Sequence, residues 1–304
     1  MKHFLCLADH ATEELRALLD LARHIKLHPA AFQDACRGRT LAMIFQKPSL
    51  RTRVSFQTGI FQLGGHGMYL GPKDIQLHRG ETISDTAAVL SRYVDCIMAR
   101  VFAHADVVGL AEGGDVPVVN GLSDLLHPCQ VLADLMTIEE KKGGLCGLKL
   151  AYVGDGNNMA HSLLHGGARF GMTVSVSHPR GFAPDAEVVT RTREIAATTG
   201  GAVQITGDPR EGVADADVVY ADVWASMGQE AERTERLARF EGFGVNPELM
   251  ACARPDAIFL HCLPAHRGEE VSADVIDGPA SVVFDQAENR LHAQKAILVR
   301  LMGR

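Results

Sequence analysis

The sequence predicts an α/β fold of two domains, each a parallel sheet flanked by helices, joined by a long bridging helix and followed by a C-terminal helix. Short apolar runs alternate with helix-period stretches along most of the 304 residues, which is the pattern of a parallel sheet with crossover helices. A single long helical stretch, near 128–142, interrupts the alternation and ends in Lys141-Lys142-Gly143-Gly144, a helix stop of the kind that separates domains. A hydrophobic content of 46% over this length is enough for two substantial cores. The expected division is 1–136, then 137–284, with 285–304 returning to the first domain.

In order along the chain, Thr12-Glu13-Glu14 opens an amphipathic helix whose apolar stripe is Leu15, Leu18, Leu19, Ala22 and Ile25. Strands follow near 40–45, 66–70, 95–101 and 116–120, separated by helical stretches near 52–63, 82–92 and 104–112. The bridging helix carries Val131, Leu132, Leu135 and Ile138 on its apolar side. Beyond it the alternation resumes, with strands at Lys149 to Gly154, Thr173 to Ser177, Ala202 to Thr206, Val218 to Asp222 and Ala257 to Cys262. Between the last two, 223–254 is rich in glycine and charge and reads as a partly mobile loop followed by an exposed helix. A final helix near 286–302 has Ala287, Leu291, Ile297, Leu298 and Leu301 apolar, and no repeat of solenoid period is visible.

Composition removes several classes of function. A formal charge of −7, with no element that concentrates Lys and Arg, argues against a nucleic-acid partner. No run of eighteen apolar residues is present for a membrane span, and the apolar start Phe4-Leu5-Cys6-Leu7 is soon broken by Asp9, too short for a secretion signal. The expected location is the cytoplasm. Seven cysteines without C-x-x-C spacing fit reduced thiols, most of them small core residues.

The most informative segment is Phe45-Gln46-Lys47-Pro48-Ser49-Leu50-Arg51-Thr52-Arg53. An apolar strand runs into a loop of three cations and two hydroxyls, and helical spacing resumes with Val54, Phe56 and Ile60. A helix N-terminus offers unpaired N–H groups and a positive dipole end to an oxyanion. Arg51 and Arg53 can add forked charge-assisted bonds, and Ser49 and Thr52 hydroxyl donors. The bland alternative is a solvated helix start with Ser49 as its cap. Two further segments also lie at strand ends or helix starts, where α/β sheets collect ligands: Arg100 with His127-Pro128-Cys129-Gln130, and His261-Cys262-Leu263-Pro264. His127 alone could be a cap histidine. With Gln130 three residues on, an imidazole and a carboxamide face one way and can polarise a carbonyl and hold its amide nitrogen, which suits a carbamoyl group.

These motifs, in this order over essentially the whole chain, resemble the transcarbamylase family. P-S-x-R-T-R followed by H-P-x-Q is shared by aspartate and ornithine carbamoyltransferases and points to carbamoyl phosphate as donor. The segments D-V-W-A-S-M-G at 222–228, H-C-L-P at 261–264, G-D-G-N-N at 154–158, A-E-N-R at 287–290 and the N-terminal K-H-F-L are similar to the ornithine branch.

The resemblance implies transfer of the carbamoyl group from carbamoyl phosphate to the side-chain amine of L-ornithine, giving L-citrulline and phosphate by direct attack, with no metal or organic cofactor. It implies that Ser49, Leu50, Arg51, Thr52, Arg100 and Arg290 hold the phosphate and that His127 and Gln130 hold the carbamoyl end. Gln76 would reach a neighbouring subunit's site, implying a homotrimer or a higher assembly of trimers. Asn158, Asp222, Ser226 and Met227 would bind ornithine, and Cys262 and Leu263 would complete the centre. Arg100, His127, Asp222 and Cys262 are the residues implied in the chemistry. The family more often has Thr where this chain has Leu50, so one hydroxyl is missing from the phosphate loop while the backbone N–H remains. Ornithine's amine, with a pKa of about 10.4, is neutral in roughly one molecule in a thousand or fewer at pH 7, so the site must select or create that form. The loop at 222–228 is a candidate lid that closes after the donor binds.

Several rival readings stand beside this one. Cys262 could be a nucleophile, although an attacking amine needs no acyl-enzyme. Val153-Gly154-Asp155-Gly156 passes part of the test for a dinucleotide site, but Ser177 and His178 stand where a ribose-binding acid is expected. His161 with His165, and His261, Cys262 and His266, are incomplete zinc sets, and these histidines are expected at a helix surface or in loops. A regulatory homologue without activity is a further reading. N-acetylornithine and putrescine are the rival acceptors. Putrescine has no carboxylate to grip, and acetylation removes the cation that Asp222 would pair with.

Overall fold

The computed structural model describes residues 1–75, 80–224 and 233–303. The chain divides into two compact units, Met1–Met136 with Glu288–Arg304, and Thr137–Ala287. Both crossings fall inside helices.

The first unit contains α1 (Thr12–Leu27), β1 (Thr40–Phe45), α2 (Leu50–Gln62), β2 (His66–Leu70), α3 (Ile83–Leu90), β3 (Cys96–Arg100), α4 (His104–Gly113), β4 (Val118–Leu122) and the start of α5 (Pro128–Lys142). Among the described residues its strands form a parallel sheet of order β2-β1-β3-β4. β1 and β3 are inner strands, buried almost throughout, as their continuous apolar runs require. The strand order reverses between them, so their carboxyl ends form the crevice where such sheets bind ligands. There Phe45 pairs in register with Arg100, and the Gln46 N–H donates to the Arg100 carbonyl at 2.8 Å. The expected stripe of α1 is buried in full.

Two strands of this unit start later than the sequence suggested. Asp95 spends its carboxylate on the Thr40 N–H at 2.8 Å and on Arg39, and β3 begins at Cys96. Pro117 cannot donate to a ladder, so β4 begins at Val118 and runs on to Leu122.

The second unit contains β5 (Lys149–Val153), α6 (Asn158–Arg169), β6 (Thr173–Ser177), α7 (Ala186–Thr199), β7 (Ala202–Thr206), α8 (Pro209–Val213), β8 (Val218–Ala221), α9 (Arg233–Arg239), α10 (Pro247–Met250), β9 (Ile258–His261) and α11 (Ala273–Ile276). The last helix, α12 (Val283–Met302), begins in this unit and ends in the first. The strands are parallel in the order β7-β6-β5-β8-β9. Here the order reverses between β5 and β8, where Val153 pairs with Ala221. Ala151, Val153, Val219, Ala221 and Phe259 form the core with Val271 and Val275. The short helices α8 and α10 have too few residues for an apolar period, but each starts on Pro behind a capping Asp208 or Asn246. Asp222 and Cys262 each lie one residue beyond their strand rather than closing it.

Among the described residues, no helix is long and apolar enough to cross a membrane.

Candidate active site

In the first unit, Ser49 is the N-cap of α2, with extended backbone and its Oγ accepting the Thr52 N–H at 3.3 Å. The cap reading and the anion reading are therefore compatible, because the cap uses one of the helix's first N–H groups and leaves others for a ligand. Leu50 is 76% exposed. Thr52 is buried, and its Oγ1 accepts from Arg290 Nη2 at 2.8 Å, so the last helix brings a cation to the loop. Arg53 does something else: its guanidinium lies over the Tyr69 ring, 3.8 Å from the centroid, a cation–π contact that the sequence did not reveal.

Arg100 closes β3 at the switch point and is buried, as are His127 and Gln130 at the start of α5. Burial holds the His127 imidazole well below its ordinary value of 6.5, and the charges of Arg290, Arg100 and Arg51 push it the same way. Its ring is therefore held toward the neutral form, first by burial and then by the positive charge around it. Lys47, half-buried with its ammonium 4.5 Å from the Phe102 ring centroid, is lowered by burial and then by Arg100. Gln130 Nε2 donates to Asp134 Oδ1 at 2.8 Å, while its buried Oε1 has no hydrogen-bond partner among the described residues. A buried acceptor left open in this way calls for a donor such as an amide nitrogen. Cys129, beside His127, is pushed up to about 12 by burial and gives its hydrogen to the Asn120 carbonyl, so it is inert as a nucleophile.

In the second unit, Asp222 leaves β8 at the switch point and is buried. Oδ1 accepts the Val223 N–H at 2.8 Å and the Cys262 thiol at 3.0 Å, and Oδ2 accepts Asn157 Nδ2 at 3.1 Å. Asn157, which sequence reasoning missed, also caps α6 through Oδ1. Its signal was present as an Asn between a strand end and a helix start. Asn158 is the first residue of α6 and is half-buried. Arg236 ties α9 to this region by bonds to Asp155 Oδ2 at 2.7 Å and to the Trp224 carbonyl at 2.8 Å. Burial raises the Asp155 carboxyl despite that pairing. Leu263 follows Cys262 with a positive φ of 56°. Gln76, Ser226 and Met227, and with them most of the candidate lid, lie outside the described residues.

The rival readings fare differently. Gly156 would put a Cβ 2.2 Å from the Pro184 nitrogen, so this glycine admits the chain's own Phe182–Pro184 loop, which removes the reason for reading it as a cofactor glycine. His161 and His165 are buried rather than at a helix surface, and His161 Nε2 accepts the Asp185 N–H at 2.9 Å. Asp222, His261 and Cys262 bring three ligand-type atoms within 4.8 Å of one another. Both ring nitrogens of His261 are already engaged, with the Leu263 N–H and with Glu270.

The family description "Aspartate/ornithine carbamoyltransferase, carbamoyl-P binding domain" matches residues 2–140, and its Asp/Orn binding domain matches 146–301. The chain is 59% identical over 301 residues to an ornithine carbamoyltransferase of Thermococcus kodakarensis, covering 98% of this chain and 96% of the relative. It is 57% identical to the anabolic ornithine carbamoyltransferase of Pyrococcus furiosus, covering 99% and 96%. A solved ornithine carbamoyltransferase structure from Pyrococcus furiosus superposes with a TM-score of 0.96 at 56% identity, covering 99% of this chain and 97% of that one. Full-length sequence and fold agreement, on a chain with a cationic crevice in one unit and a carboxylate–thiol pair in the other, shows that it belongs to the aspartate/ornithine carbamoyltransferase family.

Proposed function

We infer that the chain transfers the carbamoyl group of carbamoyl phosphate to the side-chain amine of L-ornithine, releasing L-citrulline and phosphate. The observation that carries this reading is the helix start at Ser49, with Arg290 bonded to Thr52 at 2.8 Å and Arg100 in register beside the same strand end, together with the open buried acceptor of Gln130. Phosphate is held by Ser49, Leu50, Arg51, Thr52, Arg100 and Arg290, through the helix start and the forked cations. The carbamoyl oxygen takes hydrogen bonds from His127 and Arg100, which strengthen as negative charge develops on it in the transition state. Its nitrogen donates to Gln130 Oε1. A neutral His127 is suited to this task, since it donates a hydrogen bond without protonating the donor molecule.

Ornithine is bound by Asn158, Asp222, Ser226 and Met227, its α-ammonium paired with the Asp222 carboxylate. Cys262 and Leu263 act at the reacting centre. The neutral amine attacks the carbonyl carbon, the C–O bond to phosphate breaks with its electron pair leaving on the phosphate oxygen, and the proton lost from nitrogen passes to that departing phosphate as the ureido group forms. No covalent enzyme intermediate is needed, and positioning supplies much of the rate. A carboxylate held by Asn157 and Cys262 favours an acceptor with a free α-ammonium group, which argues against N-acetylornithine. Residues 1–136 serve the donor, 137–284 the acceptor, and 285–304 return Arg290 to the first domain. The assembly is a homotrimer in which Gln76 serves a neighbouring subunit, working in the cytoplasm in arginine biosynthesis. The test is paired measurement of phosphate and citrulline from carbamoyl phosphate and L-ornithine. Equal amounts are expected, and phosphate release without citrulline would contradict the reading.

A further inference from the structure

Glu270 is fully buried in the second unit, next in sequence to the core residue Val271. A buried carboxylate is costly, and an apolar residue of similar size commonly serves stability as well or better. Its bonds indicate what it does there. Oε1 accepts from His261 Nε2 at 3.2 Å and from the His266 N–H at 2.6 Å. On the other side of the same imidazole, Nδ1 accepts the Leu263 N–H at 2.8 Å. Since a backbone N–H can only donate, Nδ1 carries a lone pair and the proton sits on Nε2, facing the carboxylate. Leu263, held by that bond, has its φ of 56° in the left-handed region that non-glycine residues seldom occupy. The His261 backbone is braced as well, its N–H donating to Gln286 Oε1 at 2.9 Å and Gln286 Nε2 to the Tyr220 hydroxyl at 3.0 Å.

We propose that Glu270 is a positioning residue for carbamoyl transfer: through His261 it fixes the turn at Cys262 and Leu263, and with it the contact of the Cys262 thiol with Asp222. The proposal rests on the carbamoyl-transfer reading above. Glu270 acts through the His261 ring. It selects the tautomer, the tautomer accepts the Leu263 N–H, and that bond fixes the backbone that aims Cys262. With the proton on Nδ1 instead, two donors would face each other at 2.8 Å, and the turn would have to move. Displacement of a reacting group by about 1 Å can cost on the order of 10²-fold in rate.

The test compares Glu270→Gln, Glu270→Leu, His261→Asn and the double variant His261→Asn/Glu270→Leu in the full chain. It reads kcat and KM for both substrates, together with nitrogen-15 spectra of labelled histidine, His261 being assigned by its loss in His261→Asn. Wild type should show His261 in the Nε2–H tautomer alone, a result that holds or fails whatever the chain's reaction is. Glu270→Leu and His261→Asn should each lower kcat by roughly 10- to 100-fold, and the double variant should fall no further than the lower of the two, because one path carries both losses. Glu270→Gln keeps an acceptor oxygen for Nε2–H and should stay within about threefold of wild type with the tautomer unchanged. If Glu270→Leu does not fold, His261→Asn and Glu270→Gln still decide. An Nδ1–H tautomer in wild type, a wild-type rate in His261→Asn, Glu270→Gln losing as much as His261→Asn, or losses that multiply in the double variant would overturn the proposal. A wild-type chain without citrulline formation would overturn the reaction instead and leave the tautomer result to judge Glu270.

Discussion

Cys262 Sγ lies 3.0 Å from Asp222 Oδ1, a thiol donating to the carboxylate whose other oxygen takes Asn157 Nδ2 at 3.1 Å. As donor the cysteine is a thiol in this bond, which is the geometry of a group that orients its neighbour at the reacting centre rather than one that attacks. Asp222→Ala should raise the KM for ornithine by roughly 10- to 150-fold, the equivalent of about 1.5–3 kcal/mol for a lost charged hydrogen bond. Cys262→Ser, which keeps a donor, should lose less than Cys262→Ala. Steady-state kinetics with ornithine varied would show this, and an unchanged KM in Asp222→Ala would remove that residue from acceptor binding.

Arg51 and Arg53 stand two residues apart with different surroundings. Arg51 adds its charge to the field at His127, whereas Arg53 lies on Tyr69. Arg51→Ala should raise the KM for carbamoyl phosphate at least about 10-fold, from the loss of charge-assisted bonds, and Arg53→Ala should leave it within about threefold, since an exposed cation–π contact is worth about 0.5–1 kcal/mol. Equal losses would show that the loop binds the donor through both cations.

Leu50 has its side chain 76% exposed at the start of α2. Leu50→Thr supplies a hydroxyl to the phosphate loop and should lower the KM for carbamoyl phosphate by up to roughly 10- to 150-fold, as a hydrogen bond to a charged group is worth about 1.5–3 kcal/mol. Competition by inorganic phosphate, measured alongside, should tighten in parallel.

Thr52 and Arg290 are joined across 238 positions of sequence by a buried bond of 2.8 Å. Thr52→Val should destabilise the first unit by about 1.5–3 kcal/mol, the usual cost of leaving a charged group short of a partner. The urea midpoint of a probe in that unit reads the change.

The depressed His127 value has a definite sign in stability. An unfolded histidine takes its proton near 6.5 while the folded ring stays neutral to a lower pH. The contribution is complete above 6.5 and is lost as the pH falls from there toward the folded value, below which both states are protonated. The acid arm of the stability–pH curve should therefore be shallower in His127→Gln than in wild type. Chemical denaturation at a series of pH values from 7.5 downward checks it, and parallel acid arms would contradict the assignment.

What was legible in the sequence follows from what is periodic or local. β1 could be read to the residue because an unbroken apolar run ends at Pro48, and Ser49 showed itself as a cap by type and place. β4 was misplaced because its start depends on a proline's missing donor as much as on hydropathy. The resemblance assigned Arg290 and Thr52 to one phosphate site, but their contact with each other was not legible, since nothing local to either residue points to the other. The bond of Asn157 to Asp222, the burial of Glu270 and the stacking of Arg53 on Tyr69 are tertiary facts. A buried glutamate looks like a surface one in sequence, and only the His261 ring beside it reveals its use.

The most direct measurement is ureido-product formation from carbamoyl phosphate at pH 8 with L-ornithine, beside N-acetyl-L-ornithine, putrescine and L-aspartate in the same assay. Rapid product with ornithine and little with the others is the predicted result. A preference for L-aspartate or putrescine would contradict the role of Asp222 and Asn157 in choosing the acceptor, and no product with any amine would contradict carbamoyl transfer itself.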